Sequence, residues 1–322
     1  MAFLTPHRAL TIIVLALAFA CGSTISAQPR LTVVSWNIQS GQADPQQIAT
    51  RIRAFQDVDL WGFSEVQNDT AAQVLQTAAE DGENADFRRI VGTTGGEDRL
   101  VIIYDSNRFH RINNFQLHSI NQGNHRAPLV AQLRDQTTGQ EFLFMVNHLA
   151  RANTALRHKQ AGLLRRWAET QVLPVIAVGD YNFDWEVEDG DAHHDAGYDR
   201  MTEDEIFTWV RPERLIRSQC SEEFDSVLDF VFVANPASTW SGSSEIIVVP
   251  GDCPDNDLTP DHRPVIAKFE MQEPGPSDAL MTSRPSSGAE ISGTTTKQQL
   301  LRRLEALEAE MRSLKELIRR LP

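Results

Sequence analysis

Cysteine, basic side chains and long apolar runs are all in short supply in this chain. Only three cysteines occur among 322 residues, and 30 basic side chains face 44 acidic ones, for a net charge of −14. No apolar run approaches the ~18–20 residues that a membrane-spanning helix needs. Because the apolar share of 41% is ordinary, the composition excludes fibrous, collagen-like and wholly disordered proteins. It predicts a globular protein without a transmembrane segment.

The longest apolar run, residues 9–20, follows Arg8 near the start of the chain. A short basic segment before an apolar one is typical of an export signal. Cleavage after Ala27 would release a periplasmic or extracellular protein, whereas cleavage before Cys21 would give a lipid-anchored one. Phe19 favours the first alternative, because lipoprotein sites usually carry small residues there. We therefore expect residues 1–27 to be a signal peptide.

Export also affects how the other two cysteines are interpreted. Cys220 and Cys253 would remain as an even pair in an oxidising compartment. This setting favours a disulfide between them over two separate buried thiols.

The C-terminal part of the chain differs from the rest. Residues 272–296 are rich in Pro, Ser, Gly and Thr without periodicity, which predicts a flexible linker. Residues 297–322 carry apolar side chains at alternating spacings of four and three: Leu300, Leu304, Leu307, Met311, Leu314, Ile318 and Leu321. This heptad pattern predicts a coiled-coil helix for self-association as a dimer or higher oligomer. The alternative is a single amphipathic helix that docks on its own domain or on a membrane.

Residues 28–271 alternate predicted strands with predicted helices, as one domain. Asp44 followed by Pro45 is a strong start signal for the first helix, and the last helix is predicted at 203–209. Many strands with interspersed helices indicate a layered α/β fold. This domain carries −16, since the segments before and after it sum to +2, yet residues 142–168 contain five bases and no acid.

Polar side chains that suit metal binding or proton transfer stand at the ends or starts of the predicted strands. They are Asn37, Glu65, His148, Asp180, Asn182, Asp229, Asp261 and His262. Each has an ordinary structural explanation as a turn, cap or core residue. Strand ends converge in open α/β sheets, however, so the ordered set predicts a shared site.

The strings that carry these residues are Ser35-Trp36-Asn37-Ile38, Ser64-Glu65-Val66-Gln67, Asn147-His148-Leu149, Gly179-Asp180-Tyr181-Asn182, Leu228-Asp229-Phe230-Val231-Phe232 and Asp261-His262-Arg263-Pro264-Val265. In this order they resemble the endonuclease/exonuclease/phosphatase superfamily. The resemblance implies a four-layer α/β sandwich of two packed mixed β-sheets flanked by helices, and metal-dependent phosphoester hydrolysis. Pro260 and Leu228 depart from the usual family residues, which leaves the substrate class open.

The resemblance also implies a role for each residue. Asn37, Glu65 and Asp261 would hold the metal; Asp180 would orient or deprotonate the attacking water. Asn182 would hydrogen-bond a phosphoryl oxygen, Asp229 would fix His262, and His148 would contact phosphate or assist the leaving oxygen. Oxygen ligands without cysteine favour Mg²⁺ or Mn²⁺ over zinc, with Ca²⁺ possible.

The substrate hypotheses differ in class. The first is a nuclease whose basic stretch follows a nucleic acid, with Arg126 and Arg157 as candidate phosphate contacts. The second is a lipid or small-molecule phosphodiesterase or phosphatase, and the third an inactive, oligomeric binding module. The acidic and histidine-rich run at 189–195 is either a metal cluster or a loop beside the substrate. Trp185, Trp209 and Trp240 are either core residues or stacking platforms.

Overall fold

The computed structural model describes residues 30–39, 42–121, 125–221, 223–253 and 259–272. The predicted signal peptide with Cys21, the heptad segment and all of the linker except Gln272 lie outside these residues. Within the part described, no helix combines the length and the apolar character that a membrane crossing needs.

Two six-stranded sheets form the framework. The first sheet has the strand order β11 (Ser241–Ile246), β12 (Val265–Glu270), β1 (Arg30–Asn37), β2 (Leu60–Val66), β4 (Arg99–Asp105) and β3 (Phe87–Val91). The second has the order β5 (Phe109–Gln116), β6 (Leu129–Asp135), β7 (Glu141–His148), β8 (Val175–Glu186), β10 (Ser226–Ala234) and β9 (Phe207–Trp209). The helices are α1 (Pro45–Ala54), α2 (Asp69–Glu83), α3 (Thr154–Ala168) and α4 (Ala196–Thr202).

Each sheet contains one parallel pair, β1 with β2 and β7 with β8, and all its other pairings are antiparallel. The parallel strands are apolar and almost fully buried, as expected for strands covered on both faces. Both sheets are therefore mixed, and each offers the carboxyl ends of two neighbouring strands.

The apolar faces arrange the sheets and helices in four layers. Helices α1 and α2 cover the outer face of the first sheet, where Ile52 and Leu75 pack in one cluster with Trp36 and Trp61. Helices α3 and α4 lie against the second sheet. Between the sheets, Gly62 leaves no room for a Cβ because side chains of β7 and β8 stand against it. The predicted four-layer sandwich is confirmed.

Local sequence signals explain the helix starts. The Asp44 side chain accepts a hydrogen bond from the Gln46 amide, with Pro45 in the first turn, as predicted. Asn68 and Asn153 cap α2 and α3 in the same way.

The helix predicted at 203–209 is wrong. The nearest helix, α4, ends at Thr202, before this range. A single 3₁₀ turn follows at Glu203–Glu205, and the positive φ values of Asp204 and Glu205 prevent it from continuing as a helix. Phe207 and Trp209 are buried and Thr208 between them is exposed, which is the alternation of a β-strand. This strand, β9, pairs with β10. Strand β5 was not predicted, because most of its side chains are exposed and give no apolar alternation.

Candidate active site

Three site residues stand side by side on neighbouring strands of the second sheet. Asp180 of β8 pairs in register with His148 of β7 on one side and with Asp229 of β10 on the other. Gly179 permits this arrangement, since its φ is 141° and a Cβ there would collide with the backbone of Asn147. The glycine before Asp180 therefore lets β8 approach β7 closely enough to align His148, Asp180 and Asp229 in a row across the three strands.

The first sheet contributes Asn37 from the end of β1 and Glu65 from β2. The Asn37 Nδ2 donates to Glu65 Oε1 at 3.0 Å and to Asp180 Oδ2 at 3.1 Å, so it joins the two sheets. Glu65 has a φ of 56°, in the left-handed region that costs a non-glycine residue about 1 kcal/mol or more. This strained backbone turns the carboxylate toward Asp180 and His148.

His262 is held by a buried carboxylate. Its Nδ1 lies 2.7 Å from Asp229 Oδ2, and its Nε2 lies 3.9 Å from Asp180 Oδ2. Burial by itself would lower the pKa of His262, but the charges of Asp229, Asp180 and Asp261, with the Asp229 hydrogen bond, raise it to about 10. The surrounding carboxylates therefore favour the protonated imidazole.

His148 also lies between two carboxylates, and one of them, Asp98, is not indicated by the sequence. Its Nε2 lies 3.5 Å from Asp180 Oδ2, and its Nδ1 lies 3.6 Å from Asp98 Oδ1, longer than a hydrogen bond. Burial would raise the pKa of Asp98, but His148 and Arg126 outweigh it and lower that pKa. Asp98 follows a glycine-rich turn without a strand-end signal, so only its approach to His148 identifies it.

The other predicted residues complete the site. Asn182 has a φ of 53°; its amide donates to Asp180 Oδ1 at 3.0 Å, and its side chain donates to the Leu149 carbonyl. The amide of Asp261 donates to Gln39 Oε1 at 3.1 Å, which fastens the segment before β12 to the end of β1. Six of the predicted residues border a cavity of about 490 Å³: Glu65, His148, Asp180, Asn182, Asp261 and His262.

A sequence model described as the Endonuclease/Exonuclease/phosphatase family matches residues 34–278. The chain belongs to this family. It is a phosphoester hydrolase of a divalent-metal-dependent family. A comparison with curated proteins gave no match.

Solved structures of family members share the fold. A family protein from Bacteroides thetaiotaomicron is 19% identical, with a TM-score of 0.58, over 75% of this chain and 98% of that one. A mannosyl-6-phosphatase of the same organism is 18% identical, with a TM-score of 0.56, over 74% and 99%. D. rerio TDP2, complexed with a single-strand DNA product, is 16% identical, with a TM-score of 0.58, over 75% and 99%.

The donor set fits the divalent metal on which the family depends. Glu65 and Asp180 place carboxylate oxygens around the Asn37 amide, and Asp261 lines the same cavity. Ligand atoms of Asp180, Asp229 and His262 also lie within 4.8 Å of one another, and Asp229 Oδ1 is buried without a hydrogen-bond partner among the described residues. Since Asp229 and His262 bind each other, Asn37, Glu65 and Asp261 remain the predicted ligands. Oxygen donors suit Mg²⁺ and Mn²⁺.

In the structure, the two arginines predicted as phosphate contacts are both engaged in ion pairs with aspartates. Arg126 forms an ion pair with Asp98 at 2.9 Å and is not among the residues that line the cavity. Arg157 lines the cavity but is buried, and its terminal nitrogens bind two backbone carbonyls after His148 and the Asp195 carboxylate at 2.7 Å. Its donors thus shape the β7–α3 connection.

The run at 189–195 is a packed loop. His194 stacks on Trp185 with ring centroids 4.7 Å apart and contacts Asp199 at 3.0 Å. Asp195 caps α4 and binds Arg157. These contacts favour the loop interpretation over a metal cluster. The three tryptophans left open by the sequence, Trp185, Trp209 and Trp240, are buried core residues.

The predicted disulfide between Cys220 and Cys253 is present. It fastens the loop before β10, and the Cys220 amide also donates to the Asp261 carbonyl at 2.7 Å. The disulfide therefore stabilises the backbone next to His262.

Proposed function

We propose that the protein is an exported nuclease that hydrolyses phosphodiester bonds with Mg²⁺ or Mn²⁺. The observation that carries this proposal is the placement of two imidazoles around one carboxylate. The Nε2 atoms of His148 and His262 lie 3.5 and 3.9 Å from Asp180 Oδ2. In-line displacement at phosphorus places the attacking and leaving oxygens on opposite sides, so two proton-carrying groups suit the hydrolysis of a phosphoester.

Each side chain of the site has a separate role in the proposed reaction. Asp180 orients the attacking water and accepts its proton, while Asn182 donates a hydrogen bond to a phosphoryl oxygen. His262, fixed by Asp229, presents positive charge to the phosphate, and His148 delivers a proton to the leaving oxygen. When bound at Asn37, Glu65 and Asp261, the divalent ion supplies Lewis-acid polarisation of the phosphate.

The cavity wall favours a polar polymer over a lipid. Apart from Phe224 and Leu228, the lining consists of polar or charged residues. In the described part of the chain, the exposed large apolar side chains are scattered singly, as Ile112, Val172, Phe224 and Val248. A membrane-seated phosphodiesterase needs a contiguous apolar surface, so this arrangement supports the nuclease over the lipid alternative.

The test is hydrolysis by the purified exported protein with Mg²⁺, Mn²⁺ or Ca²⁺ and with EDTA. Substrates are DNA, RNA, bis-p-nitrophenyl phosphate, p-nitrophenyl phosphate and sphingomyelin. We expect metal-dependent cleavage of nucleic acid and of the small diester, and none by Asp180→Asn. Hydrolysis of the monoester or of sphingomyelin alone would overturn the nuclease proposal in favour of the phosphatase or lipid alternative.

Export and self-association are proposals that rest on the sequence. The mass of the protein recovered from outside the cytoplasm tests the first, since removal of residues 1–27 leaves Gln28 first. Light scattering on chains ending at residue 272 and at residue 322 tests the second. Equal monomer masses would exclude the coiled-coil oligomer.

A further inference from the structure

Phe224 is an exposed aromatic side chain in the wall of the active-site cavity. It is 53% exposed, and it is the only aromatic residue among the exposed large apolar side chains of the described residues. An isolated exposed apolar side chain needs no explanation on a plain surface. This one borders the same cavity as His148, Asp180 and His262, where a bound substrate would cover it.

The backbone that carries Phe224 is fixed to the catalytic groups. The Gln219 side chain donates to the Phe224 carbonyl at 2.9 Å, and Gln219 forms a β-bridge with His262. The Val187 amide donates to the Asp225 carbonyl at 2.9 Å, on the other side of Phe224. Because the loop is already held, little ordering is needed when a ligand stacks on the ring.

Arg151 is a free cation in the same cavity wall. It lies three residues after His148, is exposed, and its guanidinium has no hydrogen bond or ion pair with any described residue. Its carbonyl accepts a hydrogen bond from Arg157 Nη1 at 2.7 Å, which fixes its backbone. Arg151 can therefore bind a phosphate oxygen, whereas both terminal nitrogens of Arg157 already donate to protein oxygens.

The charge of the domain limits how a nucleic acid can be bound. Residues 28–271 carry −16, while binding through the backbone of a duplex depends on many phosphate contacts. Stacking on an aromatic ring needs a base whose face is free, as in a single strand. Among the described residues, the wall offers the Phe224 ring and the Arg151 guanidinium, which suit an unstacked base and a small number of phosphates.

We propose that this cavity selects unpaired nucleic acid over duplex, with a base stacked on Phe224 and a phosphate flanking the scissile one bound by Arg151. This inference rests on the proposed nuclease function and specifies its substrate class. Phe224 and Arg151 act as specificity residues, apart from the groups that perform the hydrolysis.

The experiment compares a short unpaired oligonucleotide with the same sequence as a blunt duplex, using the full-length exported protein. We expect the wild-type protein to cleave the unpaired strand with the higher kcat/KM. Phe224→Ala should raise the KM for that strand about five- to a hundredfold while kcat stays unchanged, and Phe224→Tyr should restore it. Val172→Ala, which truncates an exposed side chain outside the cavity lining, is the matched control.

Arg151 is tested through salt dependence. Each phosphate contact to a single strand contributes about −0.7 to the slope of log affinity against log salt concentration. Arg151→Ala should therefore make the slope shallower by about 0.7, while Arg111→Ala, at an exposed position of β5, should leave it unchanged. Equal slopes in the Arg151→Ala and wild-type proteins would refute the phosphate contact.

The outcomes separate this inference from the proposed function. Equal or faster cleavage of the duplex, or an unchanged KM in Phe224→Ala, overturns the preference for unpaired strands while the nuclease stands. Hydrolysis of bis-p-nitrophenyl phosphate without cleavage of either oligonucleotide overturns both. Thermal unfolding of each variant verifies that it is folded.

Discussion

Replacing Asp229 with Asn removes a buried charge and leaves the shape of the side chain nearly unchanged. The Asp229 carboxylate is fully buried, 2.7 Å from His262. The increase in the pKa of His262 from 6.5 to about 10 corresponds to about 5 kcal/mol of differential stabilisation. Asp180 and Asp261 contribute part of this stabilisation, and breaking a buried ion pair costs about 3–5 kcal/mol. We therefore expect Asp229→Asn to lower the unfolding free energy of the metal-free protein by about 3 kcal/mol near pH 6.

The sign of the pH dependence follows from the raised pKa. A group whose pKa rises on folding stabilises fully below its unfolded-state value and loses this contribution as the pH rises through the folded-state value. Burial also raises the pKa of Asp229, so the pair loses its charge at low pH. The difference between the two proteins should therefore be present near pH 6 and fade as the pH rises toward 10.

Urea unfolding with a chelator, at about pH 6, 8 and 10, measures this difference. Asp57→Asn, at an exposed aspartate, is the matched control. With metal restored, kcat should fall by about 10²–10⁴, the usual contribution of a positioned proton-transfer group. A stability difference that is constant or grows with pH, or near-normal turnover, would refute the role of the pair.

Three further predictions concern the disulfide, the strand contact and the metal. The double variant Cys220→Ser/Cys253→Ser opens a loop with a sequence separation of 33 and should lose about 2–4 kcal/mol in urea unfolding; equal midpoints would contradict this. Gly179→Ala forces a Cβ against the backbone of β7 and should lower kcat about a hundredfold by misaligning the row, whereas Gly162→Ala on α3 should leave kcat intact. Glu65→Gln should raise the half-saturating Mg²⁺ concentration by about tenfold or more in a titration of activity after EDTA treatment; an unchanged concentration would remove Glu65 from the metal ligands.

Backbone strain occurs at the site as well as at turns elsewhere, such as those at Asp57 and Asn84. Gln39, Glu65 and Asn182 all have positive φ values between 52° and 56°, and each lies where a strand of the site ends or bends. Such conformations persist where surrounding contacts enforce them. Here Gln39 donates to Asn37 Oδ1 and accepts from the Asp261 amide. Glu65 accepts from Asn37 Nδ2, and the Asn182 backbone amide donates to Asp180 Oδ1. The strain is consistent with a site whose groups are aligned before substrate arrives.

The strands and the residues that end them were predictable because their signals are local. Apolar runs such as those before Asn37 and His148 locate buried strands, and the polar residue that ends each run falls at a shared edge. Pairing in register then brings Asp180 beside His148 and Asp229. The prediction failed at α4, β5 and β9, where strand or helix is decided by packing against neighbours that the local pattern does not show.

The sequence by itself determined the family and the class of chemistry, because the residue types and their order along the chain suffice to identify the family motifs. Only the tertiary structure decided which charged groups support that chemistry. Asp98 reaches His148 across 50 positions of the chain, and Arg157 is occupied by Asp195, 38 positions away. These pairings depend on how the two sheets and α3 pack, so no local pattern distinguishes the buried Arg157 from the free Arg151.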